Sequence, residues 1–234
     1  MIEDTGGRIS RRQGLVHILI GILVFGSLWG LFEATLGGFL NLIIFPNKGA
    51  IMSGIGVAIM ASALATYRKP AMLPGIGIVA ASFKWFNAWL LFVPLNSVQV
   101  INPATAIFLE SLAFGLVAVF LMKWISKNLL VGMGAGVLIG IMSATAYVYF
   151  AVYATHSPIF ARMGIDSIGE FIRGNGVVQA AFIGLFLPLG YVIGEKLAAK
   201  TSPVLARRSL YYATAGATIA FCWGISAIAI MAGL

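Results

Sequence analysis

Three ionisable residues, Glu33, Lys84 and Glu110, lie inside apolar runs long enough to be helices in hydrocarbon. Each costs at least about 2–3 kcal/mol near mid-bilayer on insertion scales, so each needs a partner and marks a functional candidate. At ~1.5 Å per residue, Lys84 lies roughly 20 Å up its helix from the inner face, and Glu110 roughly 10 Å down from the outer face. In a core of ~30 Å these depths coincide, in the outer half. Glu33 falls slightly closer to the outer edge. One cation and two carboxylates in one layer have the chemistry to hold a small polar solute or to relay a proton.

Helix faces point the same way. The positions sharing a face with Lys84 are Gly77, Ala80, Ala81, Asn87 and Ala88; those with Glu33 are Gly26, Trp29, Gly30 and Gly37; those with Glu110 include Pro103, Ala106 and Ala113. Small residues mark faces where membrane helices approach closely, so the charges are expected to face protein, with Lys84 held by Glu110, Glu33 or both. The bulky Trp85, Phe86, Trp89 and Phe92 fall on other faces of the Lys84 helix. Lys84 is expected to meet an anionic group of a ligand or to be neutralised by Glu110, and Glu33 to face a donor or relay a proton. Asn87, Trp85 and Gln179 complete the expected wall. Asn96, Gln99, Asn102, Tyr147, Tyr149, Tyr153 and His156 gather at the same end, which suggests an outward-facing pocket rather than a through-going pore. The simpler alternative is a Lys–Glu pair that only fixes helix register.

Other chemistry is thin. His17 and His156 fall at opposite membrane faces and cannot share a metal or haem. There is no HExxH, CxxC or nucleophile elbow, and Ser143 and Ser167 have no base nearby in sequence. No enzymatic activity, cofactor or metal is expected. Cys222 is the single cysteine, so no intramolecular disulfide forms.

The elements that position these residues follow from composition. The chain has 234 residues, 60% hydrophobic and only 9% charged, with a mean hydropathy of +1.00. Apolar runs of 18 or more residues recur along it, each a membrane-span candidate, and this profile excludes a soluble globular domain. An all-α integral membrane bundle is expected, as one domain over residues 1–234, with spans near 14–36, 50–67, 71–94, 103–122, 129–153, 176–194 and 209–233. Gly37 and Gly38 are expected to break the first helix before a short re-entrant or interfacial segment. Residues 1–13 read as a cytoplasmic N-terminal segment before a retained first span. Residues 155–175 read as an outer loop, a candidate interfacial helix or lid.

The net charge of +8 sits in short loops, which reads as an orientation signal rather than a nucleic-acid surface. With the N-terminus inside, the inner side carries Arg8, Arg11, Arg12, Arg68, Lys69, Lys123, Lys127, Lys196, Lys200, Arg207 and Arg208; the outer side carries Lys48, Arg162 and Arg173. The remaining one of the fifteen basic residues is Lys84. That bias predicts N-in, C-out and about seven crossings, six plus one further.

Gly132, Gly136 and Gly140, continued by Ala144, form a GxxxGxxxG packing face whose neighbour is either internal or a partner subunit. An inverted repeat pairing "LFEATLGG" with "FLESLAFG" is not supported, because inversion would send one glutamate to the inner side. The runs "LWGLFEATLGGFLN" and "FPNKGAIMSGIGVAIMASAL" resemble the first and second helices of the substrate-binding S components of energy-coupling factor (ECF) transporters. That resemblance implies a vitamin- or micronutrient-binding subunit of a prokaryotic plasma membrane. It also implies a transmembrane coupling subunit and ATPase partners, docked on small-residue faces such as Gly21, Gly26 and Gly30. Most such components have six helices. The rival expectation is a non-catalytic subunit of a larger respiratory or biogenesis complex, with structural or proton-conducting charges.

Overall fold

A computed structural model describes residues 5–157, 164, 166–206 and 208–234, with side chains from residue 14 onward except at 200–206 and 208. The described residues are almost entirely helical, with no strand among them. In chain order the helices are α1 (Thr5–Ala34), α2 (Leu36–Leu42), α3 (Lys48–Tyr67), α4 (Leu73–Leu90), α5 (Val98–Ile125), α6 (Leu129–Tyr153), α7 (Ile168–Phe171), α8 (Val177–Ala206) and α9 (Arg208–Met231). A 3₁₀ turn, Pro70–Met72, leads into α4, and a π turn, Ile172–Gly176, joins α7 to α8.

Local sequence sets these boundaries. Arg68 adopts a left-handed conformation (φ 54°, ψ 32°) that stops α3, and Pro70 then opens the 3₁₀ turn where it loses no helical donor. Asn128 caps α6, its side-chain oxygen accepting from the backbone N–H of Leu130 at 2.8 Å and Val131 at 3.4 Å. Ser167 caps α7 by accepting from Glu170 N–H, while the Glu170 carboxylate accepts from Asp166 N–H at 2.8 Å.

Among the described residues, six helical stretches are long and apolar enough to cross a membrane: Gly14–Leu42, Lys48–Tyr67, Val98–Ile125, Leu129–Tyr153, Ile168–Ala199 and Ser209–Met231. Such a set is the signature of a multi-pass membrane protein. α4 is the seventh expected span and is not among the six. Its 18 residues include Pro74, Lys84 and Asn87, which lower its hydropathy.

The break expected at Gly37–Gly38 falls instead at Thr35, and it is slight. Thr35 N–H donates to Leu31 O at 2.9 Å, Phe39 N–H donates to Thr35 O at 2.9 Å, and the Thr35 hydroxyl also donates to Leu31 O. The backbone ladder therefore carries through, and α2 continues α1 instead of folding back. The chain turns after Leu42, where Ile44 takes a positive φ of 51° and Lys48 Nζ donates to Asn41 Oδ1. Of the outer loop, residues 158–163 and 165 lie outside the described residues. Its second part is α7 and the π turn, which pack Phe171 against Ala144, Val148 and Ala151 of α6. Of the N-terminal segment, residues 1–4 lie outside the description and 5–13 form the first turns of α1.

Neighbouring helices run α1, α4, α5, α6, α8, α3 and back to α1, with α9 packed outside on α1. α3 also touches α4 and α5 and is the most enclosed: 61% of its apolar window is buried, against 28% for α9. Trp29, Met60, Leu64, Ile76, Phe114, Ile139, Ile183 and Leu187 fill the common core.

Close approach depends on small residues. A Cβ on Gly136 would lie 2.7 Å from Gly184 Cα, and one on Gly140 would strike Ala180, so the GxxxG face of α6 is filled by α8. Gly190 and Gly194 of α8 meet the backbone of Ala58 and Ser62 on α3. There the Ser62 hydroxyl donates to Gly190 O at 2.7 Å.

Candidate functional site

Helix directions alternate, so the bundle has an Arg68 end and a Lys48 end. Toward the Lys48 end each helix of the ring brings one polar or charged side chain to a common layer. Glu33 comes from α1, Lys84 from α4, Glu110 from α5, Ser143 from α6, Gln179 from α8 and Ser53 from α3.

The first link is ionic. Lys84 Nζ donates to Glu33 Oε2 at 2.7 Å, with the two side chains 16% and 12% exposed. α1 and α4 come together because Gly26 sits against Val79 and Gly30 against the Phe83 ring. On the face of α4 that turns toward α5, Gly77 meets Ser111. These small residues bring the ammonium and carboxylate within contact and keep both out of lipid.

The second link is neutral on one side. Glu110 is 3% exposed. Its Oε2 accepts from Gln179 Nε2 at 3.4 Å, and the same Nε2 approaches Ser143 Oγ at 3.4 Å. Both distances are long for hydrogen bonds, so the tie is loose. Ser53 lies beside the carboxyl, and Glu33 is close enough for its charge to act on it. Glu110 Oε1 is buried without a hydrogen-bond partner among the described residues. Of three further such atoms on the layer's helices, Asn87 Oδ1 is three residues past Lys84 and Trp29 Nε1 four residues before Glu33, whereas Tyr191 Oη lies at the Arg68 end. The Trp29 indole lies against Gly56, one turn beyond Ser53 on α3.

The sequence expectations divide at this level of detail. Glu33, Lys84, Glu110 and Gln179 do meet in one layer. Lys84 pairs with Glu33, whereas the expected neutralisation by Glu110 is replaced by the Gln179 contact, because α5 offers its carboxylate toward α8. Trp85 does not join the layer; it is 41% exposed on the outward side of α4, since it lies one residue, about 100° of helix, from Lys84. Asn102 is used locally, its Nδ2 donating to Ser157 Oγ at 2.8 Å and its Oδ1 accepting from Thr155 Oγ1 at 3.3 Å. Tyr149 and Tyr153 are exposed and stacked on each other.

The helix faces at Gly21, Gly26 and Gly30, expected to dock a partner, are occupied within the chain. Gly21 is covered by the Tyr67 ring, Gly26 by Val79 and Gly30 by Phe83. Gly132, Gly136 and Gly140 likewise face α8, near Pro188, Gly184 and Ala180 respectively. Five of the six are filled from within the chain, since a Cβ on Gly21, Gly26, Gly30, Gly136 or Gly140 would come within 3 Å of Tyr67, Val79, Phe83, Gly184 or Ala180, whereas one on Gly132 would make only ordinary contact with Pro188. Ser53, Trp29 and Ser143 were not singled out as site residues. Trp29 had a signal, the four-residue spacing from Glu33; the two serines had none beyond lying in small-residue runs.

No described protein family, curated protein or solved structure matches the chain.

Proposed function

We propose that this protein binds a small polar solute, vitamin- or micronutrient-like in size, in the Lys48-end layer and serves as the solute-binding subunit of a membrane transporter. The supporting observation is that six helices each supply a polar group to one layer in which the buried Glu110 still has an unpartnered oxygen. A register lock alone would need only the two helices that Lys84 and Glu33 join. Unsatisfied buried polar atoms are costly, and a bound solute would offset that cost.

In this reading the N-terminus is inside, the C-terminus outside, and α4 is a seventh crossing. Its 18 residues extend about 27 Å at 1.5 Å per residue, close to the ~30 Å core. Its polar groups are tolerated because they face protein. The Lys48 end is then external, and solute enters from outside. A transmembrane coupling subunit and ATPases of a prokaryotic plasma membrane, the partners implied by the S-component resemblance, would drive release. They would dock elsewhere than on the five filled glycines. The role is binding, not catalysis.

A second reading has one observation in its favour, the 2.7 Å Lys84–Glu33 contact: the charges are structural, within a larger membrane complex. Native mass spectrometry of gently extracted protein separates the two. The transporter reading expects a small-molecule adduct on the wild type that Gln179→Leu removes, with ATPase subunits retained. No adduct, or one indifferent to Gln179, overturns it, and co-purifying redox proteins would favour the rival.

A further inference from the structure

We infer that the solute presents a monocationic nitrogen group, an ammonium or amidinium, to Glu110, and not an anionic group to Lys84; this rests on the solute-binding reading above. The ammonium of Lys84 is already matched by Glu33 at 2.7 Å. An anionic ligand at Lys84 would add a second negative charge beside Glu33 to an ammonium already matched, leaving one charge uncompensated in low dielectric. Among the described residues Glu110 has no such counterpart. It is 3% exposed, and its described contacts are an amide at 3.4 Å and a nearby hydroxyl. Glu33 is already matched by Lys84, so one monocation at Glu110 would be the counter-charge of one buried carboxylate.

The unpartnered atoms point the same way. Of the three unpartnered atoms near the layer, Glu110 Oε1, as a carboxylate, and Asn87 Oδ1 accept while Trp29 Nε1 donates, so donors are missing at two of them and an acceptor at the third. A protonated amine or amidine supplies several N–H donors from one group, whereas a carboxylate or phosphate supplies none. Trp29, 1% exposed and lying against Gly56 one turn from Ser53, adds an aromatic ring of the kind that attracts such cations. The Lys84–Glu33 pair then scaffolds the layer, and Glu110 receives the ligand.

The test uses the full chain in lipid nanodiscs, following thermal unfolding against three size-matched solute panels: monocationic amines and amidines, neutral amides and alcohols, and monoanionic carboxylates. Sodium and potassium chloride are added as separate arms. The midpoint is expected to rise only with the cationic panel. Glu110→Gln should abolish the rise, and Glu195→Gln, which removes a carboxylate paired with Arg68 at the opposite end of the bundle, should retain it. Glu110→Asp, which keeps the charge, controls for folding and should retain a weakened rise. A rise with the anionic panel overturns the inference and leaves solute binding intact. So does a cationic rise that survives Glu110→Gln. A rise with sodium or potassium alone replaces the organic cation by a metal ion and also overturns it. No rise with any panel overturns both the inference and the solute-binding reading.

Discussion

At the residue scale the interactions of the layer are unequal, and their inequality makes predictions. Lys84 and Glu33 form a close, mostly enclosed pair; removing one partner leaves the other charge uncompensated, a loss of roughly 3–5 kcal/mol for buried pairs. Lys84→Met should therefore lower unfolding stability in detergent by about that amount, and Glu33→Leu/Lys84→Met should recover most of it. A single variant as stable as wild type would mean the pair is wetter than its geometry states. Gln179 behaves differently, because its contacts to Glu110 and Ser143 are both 3.4 Å. Gln179→Leu should cost no more than ~1 kcal/mol in stability yet remove the bound adduct, a separation that a purely structural glutamine would not give. The three charges were legible in the sequence because charge is rare in hydrocarbon. Which carboxylate would take the lysine was not. Depth along a helix follows from residue number, but partner choice depends on rotation and lateral order of helices, which a single sequence does not encode.

At the element scale the bundle is organised by where backbones can touch. α6 meets α8 through Gly136 and Gly140, whereas Gly134 on the same helix has nothing within 4 Å of its would-be Cβ. Gly140→Leu should disrupt the fold, costing 3 kcal/mol or more by analogy with ordinary overpacking of about 1–3, because Ala180 presents backbone that cannot yield. Gly134→Leu should be neutral in the same unfolding assay. Equal effects would place the helix face wrongly. The small-residue spacing announced this contact, and its neighbour proved internal. Helix positions followed hydropathy well, while the turn after the first helix did not: Thr35 bonds back to Leu31 and lets the ladder continue past the glycines. Glycine lowers helix propensity, but packing of Gly38 against Leu234 gives α2 a tertiary reason to stay helical.

At the scale of the whole molecule, membrane topology carries the functional reading, because it decides from which side the layer is reached. Cys222 is buried and is the single cysteine, so Cys222→Ala gives a clean background for labelling. With Lys69→Cys before α4 and Asn96→Cys after it, an impermeant thiol reagent added to intact cells should label position 96 and spare 69. Labelling of both from outside would show that α4 does not cross and would place the layer's entrance elsewhere. The core claim is that the ring of six helices encloses a binding layer around Glu110. A crystal structure of the protein extracted from its own membrane without added ligand tests this most directly. The expected result is density for a non-protein group within hydrogen-bond distance of Glu110 Oε1 and close to Trp29. Density showing Oε1 bonded to a protein side chain, with the six helices packed solid around it, would contradict it.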